Sequence, residues 1–177
     1  MKRILASAVA VMLASTVYAA PAGPRGVATD IPAKDIQALS KTMASLPGGD
    51  KLLKVVPINN GEYNVAVAVV HRAKAPSLTA SLEHSQISEI YYIMSGSGTM
   101  VSDGTIEQAK DATDPNTLAV VGPSTGGNKT AGSRSRKIGT GDVIIVPPNT
   151  PHGWSDVSEE LFYLVVRMDP KKVLKAQ

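Results

Sequence analysis

Residues 141–156 read GDVIIVPPNTPHGWSD, and the fold is decided by how this stretch is laid out. Val143 to Val146 is an apolar, mostly β-branched run after a glycine, the pattern of a short strand. The prolines at 147, 148 and 151 cannot extend a central strand, because proline lacks the N–H that the ladder needs. The chain must turn there and enter a new strand at His152, with Trp154 and Asp156 sharing the face of His152. Upstream, residues 84–98 read HSQISEIYYIMSGSG. His84 and Glu89 are separated by an odd number of positions, so one continuous strand would point them to opposite faces. A break at Ser85-Gln86-Ile87-Ser88 removes that conflict, since serines readily form local turns with their own backbone. Glu89 then opens a strand with Tyr91 and Ile93 on its face.

Outward from these stretches the pattern stays β. Tyr63 to Val70, Leu78 to Glu83, Glu89 to Met94, Gly98 to Val101, Gly153 to Ser155 and Leu161 to Arg167 read as further short strands between Gly, Ser and Pro clusters. Many short strands with such turns make an all-β sandwich or barrel. One helix precedes them: Ile36, Leu39 and Met43 recur at helical spacing, Asp30 and Pro32 mark its start, and Leu46-Pro47-Gly48-Gly49 its stop. Gly122 to Gly141 is rich in Gly, Ser and Thr and carries Lys129, Arg134, Arg136 and Lys137. It reads as a long loop, a solvated excursion or a lid, with a short strand near Lys137 and Ile138.

Lys2 and Arg3, the apolar run Ile4 to Val17 and the small residues of Val17-Tyr18-Ala19 form the pattern of a signal peptide cleaved after Ala19. The apolar run is short of the roughly 20 residues of a membrane span. The expected organisation is a signal peptide at 1–19, an N-terminal leader and helix at 20–52, and a β-barrel domain at 53–177. The expected protein is secreted or periplasmic, with no membrane span in its mature chain. The chain has 18 Lys and Arg against 15 Asp and Glu; without Lys2 and Arg3 the surplus falls to about one charge, which gives little pull towards nucleic acid. There is no cysteine, which excludes disulfides and thiolate chemistry. No G-x-S-x-G elbow is present, and Gly96 to Met100 lacks the glycines and the following helix of a phosphate loop.

The two stretches together resemble the two sequence motifs of the cupin superfamily. His84, four residues, Glu89, six residues and Gly96 match the first; Gly141, five residues, Pro147 and then His152 five positions on match the second. The motifs span about seventy of the 158 residues that follow Ala19. The resemblance implies a cupin-like double-sheet (jelly-roll) barrel with a short N-terminal helix, and His84, Glu89 and His152 as ligands of a central metal. It also implies that a homodimer could form through outer strands. Three positions depart from the pattern. Leu82 stands where a further histidine is usual, Asn149 where a glycine is expected, and Asp156 where an asparagine is often found. Asn149 can still adopt a left-handed turn, whereas Leu82 removes a fourth ligand.

Two imidazoles and a carboxylate suit a divalent transition metal such as Fe, Mn, Zn or Ni, with positions left open to water, substrate or dioxygen. Leu82, Ile93 and Trp154 are expected as pocket walls and Tyr91 as a proton donor. His71 reads as a strand-end surface residue, Glu83 points away from the site, Tyr92 points outward and Arg167 reads as a solvated charge. The resulting expectation is an exported metal-dependent enzyme, a dioxygenase, isomerase or lyase, acting on a small organic substrate. The alternative is a non-catalytic barrel that binds a small molecule, which the apolar Leu82 favours.

Overall fold

The computed structural model describes residues 26–128 and 130–175; the expected signal peptide lies outside them. Helix α1 (Ala33–Met43) is followed by β1 (Gly48–Ile58), β2 (Tyr63–Arg72), β3 (Ser81–His84) and β4 (Ser88–Ser102). Next come β5 (Thr105–Ile106), β6 (Lys110–Asp111), helix α2 (Pro115–Val121), β7 (Ser124–Gly127), β8 (Thr130–Ala131) and β9 (Arg134–Gly139). The chain ends in β10 (Val143–Val146) and the long β11 (His152–Asp169).

The architecture hangs on β4 and β11, which pair antiparallel along nearly their whole lengths, from Arg167 opposite Glu89 to His152 opposite Ser102. At the Glu89 end, β2 flanks β11, β1 lies outside β2, and β10 flanks β4. At the other end β3, β7 and β6 continue from β11, and β9 flanks β4. Between the two ends the register of β11 slips repeatedly, from Trp154 to Tyr163. Such bulges insert unpaired residues and bend a strand. The glycines of β4 allow the bend. Gly96 has φ +86°, and a Cβ there would collide with the Glu160 carbonyl oxygen; at Gly98 it would fall 2.6 Å from that of Asp156. No side chain fits at either position. The two half-sheets therefore close on one another as a barrel around Ile93, Met100, Leu161 and Val165, all fully buried. Removing each such side chain from water contributes about 1.5–3 kcal/mol.

The strands expected at Glu89–Met94 and Gly98–Val101 are thus one strand, as are those at Gly153–Ser155 and Leu161–Arg167, because bulges bend them without ending them. The bulge after Trp154 also breaks the alternation, so Asp156 leaves the face of His152, is part-exposed and meets Lys137 at 3.8 Å. Strand β1 had no clear signal, since Lys51, Lys54 and Pro57 interrupt it. Edge strands tolerate such residues, and β1 pairs only with β2. It runs across the boundary expected at residue 52. The expected loop from Gly122 to Gly141 contains β7, β8 and β9. Arg134, Ser135 and Lys137 are solvent-facing positions of β9, whereas Ile138 of β9 and Ser124 of β7 are buried. Helix α1 packs against β1 and β2 through Met43, and Pro32 sits at its N-cap rather than just inside it.

Candidate metal centre

His84 closes β3 and Glu89 follows the start of β4, with residues 85–87 outside both strands. This is the break that their spacing requires. Asn149, at φ 56°, takes the left-handed conformation at the turn before β11. Its N–H donates to the His84 carbonyl at 2.8 Å, which ties the two motifs together. His152 opens β11 and pairs with Leu82 on one side and Ser102 on the other. One ligand atom each from His84, Glu89 and His152 lie within 4.8 Å of one another. Among the described residues this is the only such cluster of three His, Cys, Asp or Glu.

The far nitrogens of the two imidazoles determine what the near ones offer. Ser124 Oγ donates to the Gly122 carbonyl at 2.9 Å, which leaves it to accept from His84 Nδ1 at 2.7 Å. His152 Nδ1 donates to the Thr150 carbonyl at 2.9 Å. With a proton on Nδ1 of each ring, each Nε2 faces the cluster and offers a lone pair wherever it carries no proton of its own. Glu89 Oε2 lies 3.3 Å from His152 Nε2 and 3.6 Å from His84 Nε2. Three acceptors facing each other repel unless a proton sits on each Nε2 or one cation is shared. Orienting bonds at the far nitrogens are the usual surroundings of metal-binding histidines. The residues could hold a metal ion.

The carboxylate is itself held. Arg167 Nε donates to Glu89 Oε1 at 2.8 Å, and its other two nitrogens grip both oxygens of Asp50, one at 3.1 Å. Burial would raise the Glu89 pKa, but contacts with His152 and His84 and the charge of Arg167 outweigh it and hold the carboxyl well below its usual range. Burial would likewise lower the Arg167 pKa; Asp50 and Glu89 reverse this and keep the guanidinium charged. Tyr91 Oη donates to Glu89 Oε2 at 2.7 Å. Burial and the Glu89 charge push the Tyr91 hydroxyl well above its ordinary pKa, so it stays a phenol that orients the carboxylate.

Beside the cluster lies a cavity of about 330 Å³. Leu82, Tyr91 and Trp154 line it together with Val70, Tyr163 and Val165, and Thr117, Val120 and Val121 of α2 line it as well. Ile93 is not among its walls. It lies fully in the core, and Tyr163, its partner across the β4–β11 ladder, takes the wall position. Tyr92 is about half exposed, as expected, and Glu83 turns away to accept from Thr125 at 2.8 Å.

Two further expectations are overturned. Arg167 is buried, not solvated, because it shares the inward alternation of Leu161, Tyr163 and Val165. His71 is also fully buried: it stacks on Phe162 with centroids 4.5 Å apart and meets Glu160 at 2.9 Å. Sequence reasoning also missed Asp50, Arg72 and α2. A signal for the helix was present in DPNTLAVVG, residues 114–122: an N-cap Asp, Pro at the first helical position and a closing Gly. Asp114 does accept from the N–H groups of Asn116 and Thr117.

No protein-family model matches the chain, and no curated protein matches it. Among solved structures it is similar to KdgF from a Halomonas species, at 13% identity and TM-score 0.44, over 71% of this chain and 82% of that one. A cupin protein from Bacteroides fragilis gives 18% identity and TM-score 0.39, over 64% of this chain and 71% of that one. The two half-sheets joined by the bends of β4 and β11 agree with the double-sheet barrel that the two motifs imply. An oxalate decarboxylase variant from Bacillus subtilis gives 19% identity and TM-score 0.42, over 70% of this chain. This chain spans only 26% of that protein's length. No helix among the described residues is long and apolar enough to cross a membrane.

Proposed function

We propose that this protein is an exported, metal-dependent enzyme acting on a small organic molecule, with His84, Glu89 and His152 as its metal ligands. The observation that carries the reading is the meeting of two Nε2 atoms and one carboxylate oxygen, with the Nδ1 of each ring bonded elsewhere. A divalent Fe, Mn, Zn or Ni ion, when bound, supplies Lewis acidity or redox chemistry at positions that these three groups leave open. The chain's own residues do the rest. Ser124 and the Thr150 carbonyl fix the imidazoles, Arg167 and Tyr91 fix Glu89, and Trp154, Val165 and α2 shield the cavity from bulk water. Dioxygenase, isomerase and lyase chemistry all suit such a site. In this reading residues 1–19 are removed on export, residues 20–52 carry the leader and helix, residues 53–177 form the barrel domain, and the protein works outside the cytoplasm. Val143 and Ile145, exposed on the edge strand β10 beside Tyr92, are the surface through which a homodimer would form.

A second reading, a barrel that binds a small molecule without turning it over, is favoured by Leu82, which pairs with His152 and presents an apolar wall beside the cluster. Elemental analysis of protein recovered from the periplasm without chelator tests the first. Near-stoichiometric metal is expected in the wild type and none in the folded His84→Ala, His152→Ala double variant. A wild type that stays metal-free after reconstitution with each ion sinks the enzyme reading, and a double variant that keeps its metal sinks the ligand assignment.

A further inference from the structure

The charges of the cavity wall are unevenly satisfied. Four lining side chains carry charge: Asp50, Glu89, Arg72 and Arg167. Arg167 engages both carboxylates, one through Nε and the other through both terminal nitrogens. Arg72 has no such partner. It takes part in none of the ion pairs among the described residues, and its side-chain bond there is a long one, from Nε to Tyr163 Oη at 3.5 Å. The alternation of β2 points Arg72 to the same side as Val70, and both line the cavity. Arg72 is exposed to solvent whereas Val70 is buried, which places Arg72 at the mouth of the cavity. Its Nε reaches Tyr163 Oη, so it stands at the outer end of the aromatic wall that leads to the metal cluster. There Tyr163 packs against Tyr91 with ring centroids 4.9 Å apart and the rings tilted by 45°, and Tyr91 bonds Glu89. The terminal guanidinium nitrogens, the fork that binds a carboxylate in two places, remain available.

We propose that the cavity takes a small organic carboxylate, its anionic end held by the Arg72 fork and its apolar body against Val70, Leu82, Trp154 and Val165. The proposal rests on the function proposed above. The four wall charges sum to zero, and a divalent ion on His84, Glu89 and His152 would leave the loaded cavity at about +2, a field that favours an anion. The volume fits a molecule of modest size, and the remaining walls give neutral polar ligands few groups to bond.

The test compares carboxylates with their uncharged amides. Acetate, butanoate, hexanoate and benzoate are titrated by calorimetry into the Mn(II)-reconstituted protein, each beside its amide, and then into Arg72→Met and Arg72→Lys. At least one carboxylate is expected to bind roughly tenfold or more tighter than its amide, to lose that margin in Arg72→Met and to regain part of it in Arg72→Lys. Metal content, measured in the same samples, stays at the wild-type level in both variants, because Arg72 touches no ligand. If no acid outbinds its amide, or if Arg72→Met binds the acids as wild type does, the proposal is overturned; in the latter case the anion sits on the metal alone. A wild type that takes up no metal refutes the metal-enzyme reading, while a carboxylate preference lost in Arg72→Met in that same protein still supports the anion site.

Discussion

Two histidine–glutamate contacts in this molecule look alike on paper and differ in what they can do. On β2, His71 Nε2 meets Glu160 Oε1 at 2.9 Å. Inside the barrel, His152 and His84 meet Glu89 at 3.3 and 3.6 Å. The first contact is shorter and better formed as a hydrogen bond, yet it is the poorer metal site. His71 Nδ1 is buried with no hydrogen-bond partner, so the ring is held by packing on Phe162 alone on that side, and Glu160 is half exposed to water. In the second, each imidazole is bonded at its far nitrogen and Glu89 is held by Arg167 and Tyr91. A metal site is recognised less by short contacts than by acceptors converging with their donors spent elsewhere.

The largest expected effect separates the two carboxylates. Arg167→Met leaves Glu89 and Asp50 buried or half-buried without their shared cation, and breaking such a buried pair costs about 3–5 kcal/mol. Denaturant unfolding of metal-free protein measures the loss. Added Mn(II) is expected to recover part of it, since an ion bound only by the folded state stabilises that state and also supplies the missing positive charge. If Arg167→Met unfolds at the wild-type midpoint, the Asp50–Arg167–Glu89 chain is not what holds the carboxylate.

Ser124→Ala gives a smaller change and tests the far side of the imidazole. Without Ser124 Oγ the His84 ring loses the partner that fixes both its tautomer and its angle. Loss of such a supporting group weakens metal binding by about 10- to 100-fold. Competition with a chromophoric chelator reads this directly, and unfolding of the metal-free protein is expected to change far less than in Arg167→Met. An unchanged metal affinity would mean that the Nδ1 bond is incidental, and the contrast with His71 would lose its basis.

The sequence exposed the inner cluster well and its supports poorly, for a physical reason. His84, Glu89 and His152 announce themselves because breaks in the chain accompany them: the serines before Glu89, the prolines before His152 and the glycines that allow β4 to bend. Those breaks are local, and local features can be read along a chain. Arg167 and Asp50 meet across 117 positions, and Ser124 reaches His84 across 40. Such contacts follow from strand order, which no local pattern supplies. Arg167 was half legible, since its place in the alternation of LFYLVVR turns it inward; the habit of leaving charges in water argued the other way. His71 was misread for the same reason, because a polar residue near a strand end usually meets solvent. Helix α2 could have been found from Asp114, Pro115 and Gly122, but its position over the cavity could not.

The smallest effect belongs to the contact that looks strongest. Glu160→Gln keeps an oxygen that can accept from His71 Nε2 and removes only the charge. Because the Glu160 side chain is 53% exposed, water screens its attraction, and exposed pairs of this kind contribute about 0–1 kcal/mol. The burial and stacking of His71 on Phe162 remain untouched. Unfolding midpoints within that margin, together with unchanged metal content, are expected. A loss comparable to that of Arg167→Met would show that Glu160 holds a charged imidazolium at His71 and that the outer contact is a buried ion pair in its own right. In that case exposure of one partner would be a poor guide to the strength of the pair, and the distinction between the two regions would rest on the number of converging acceptors alone.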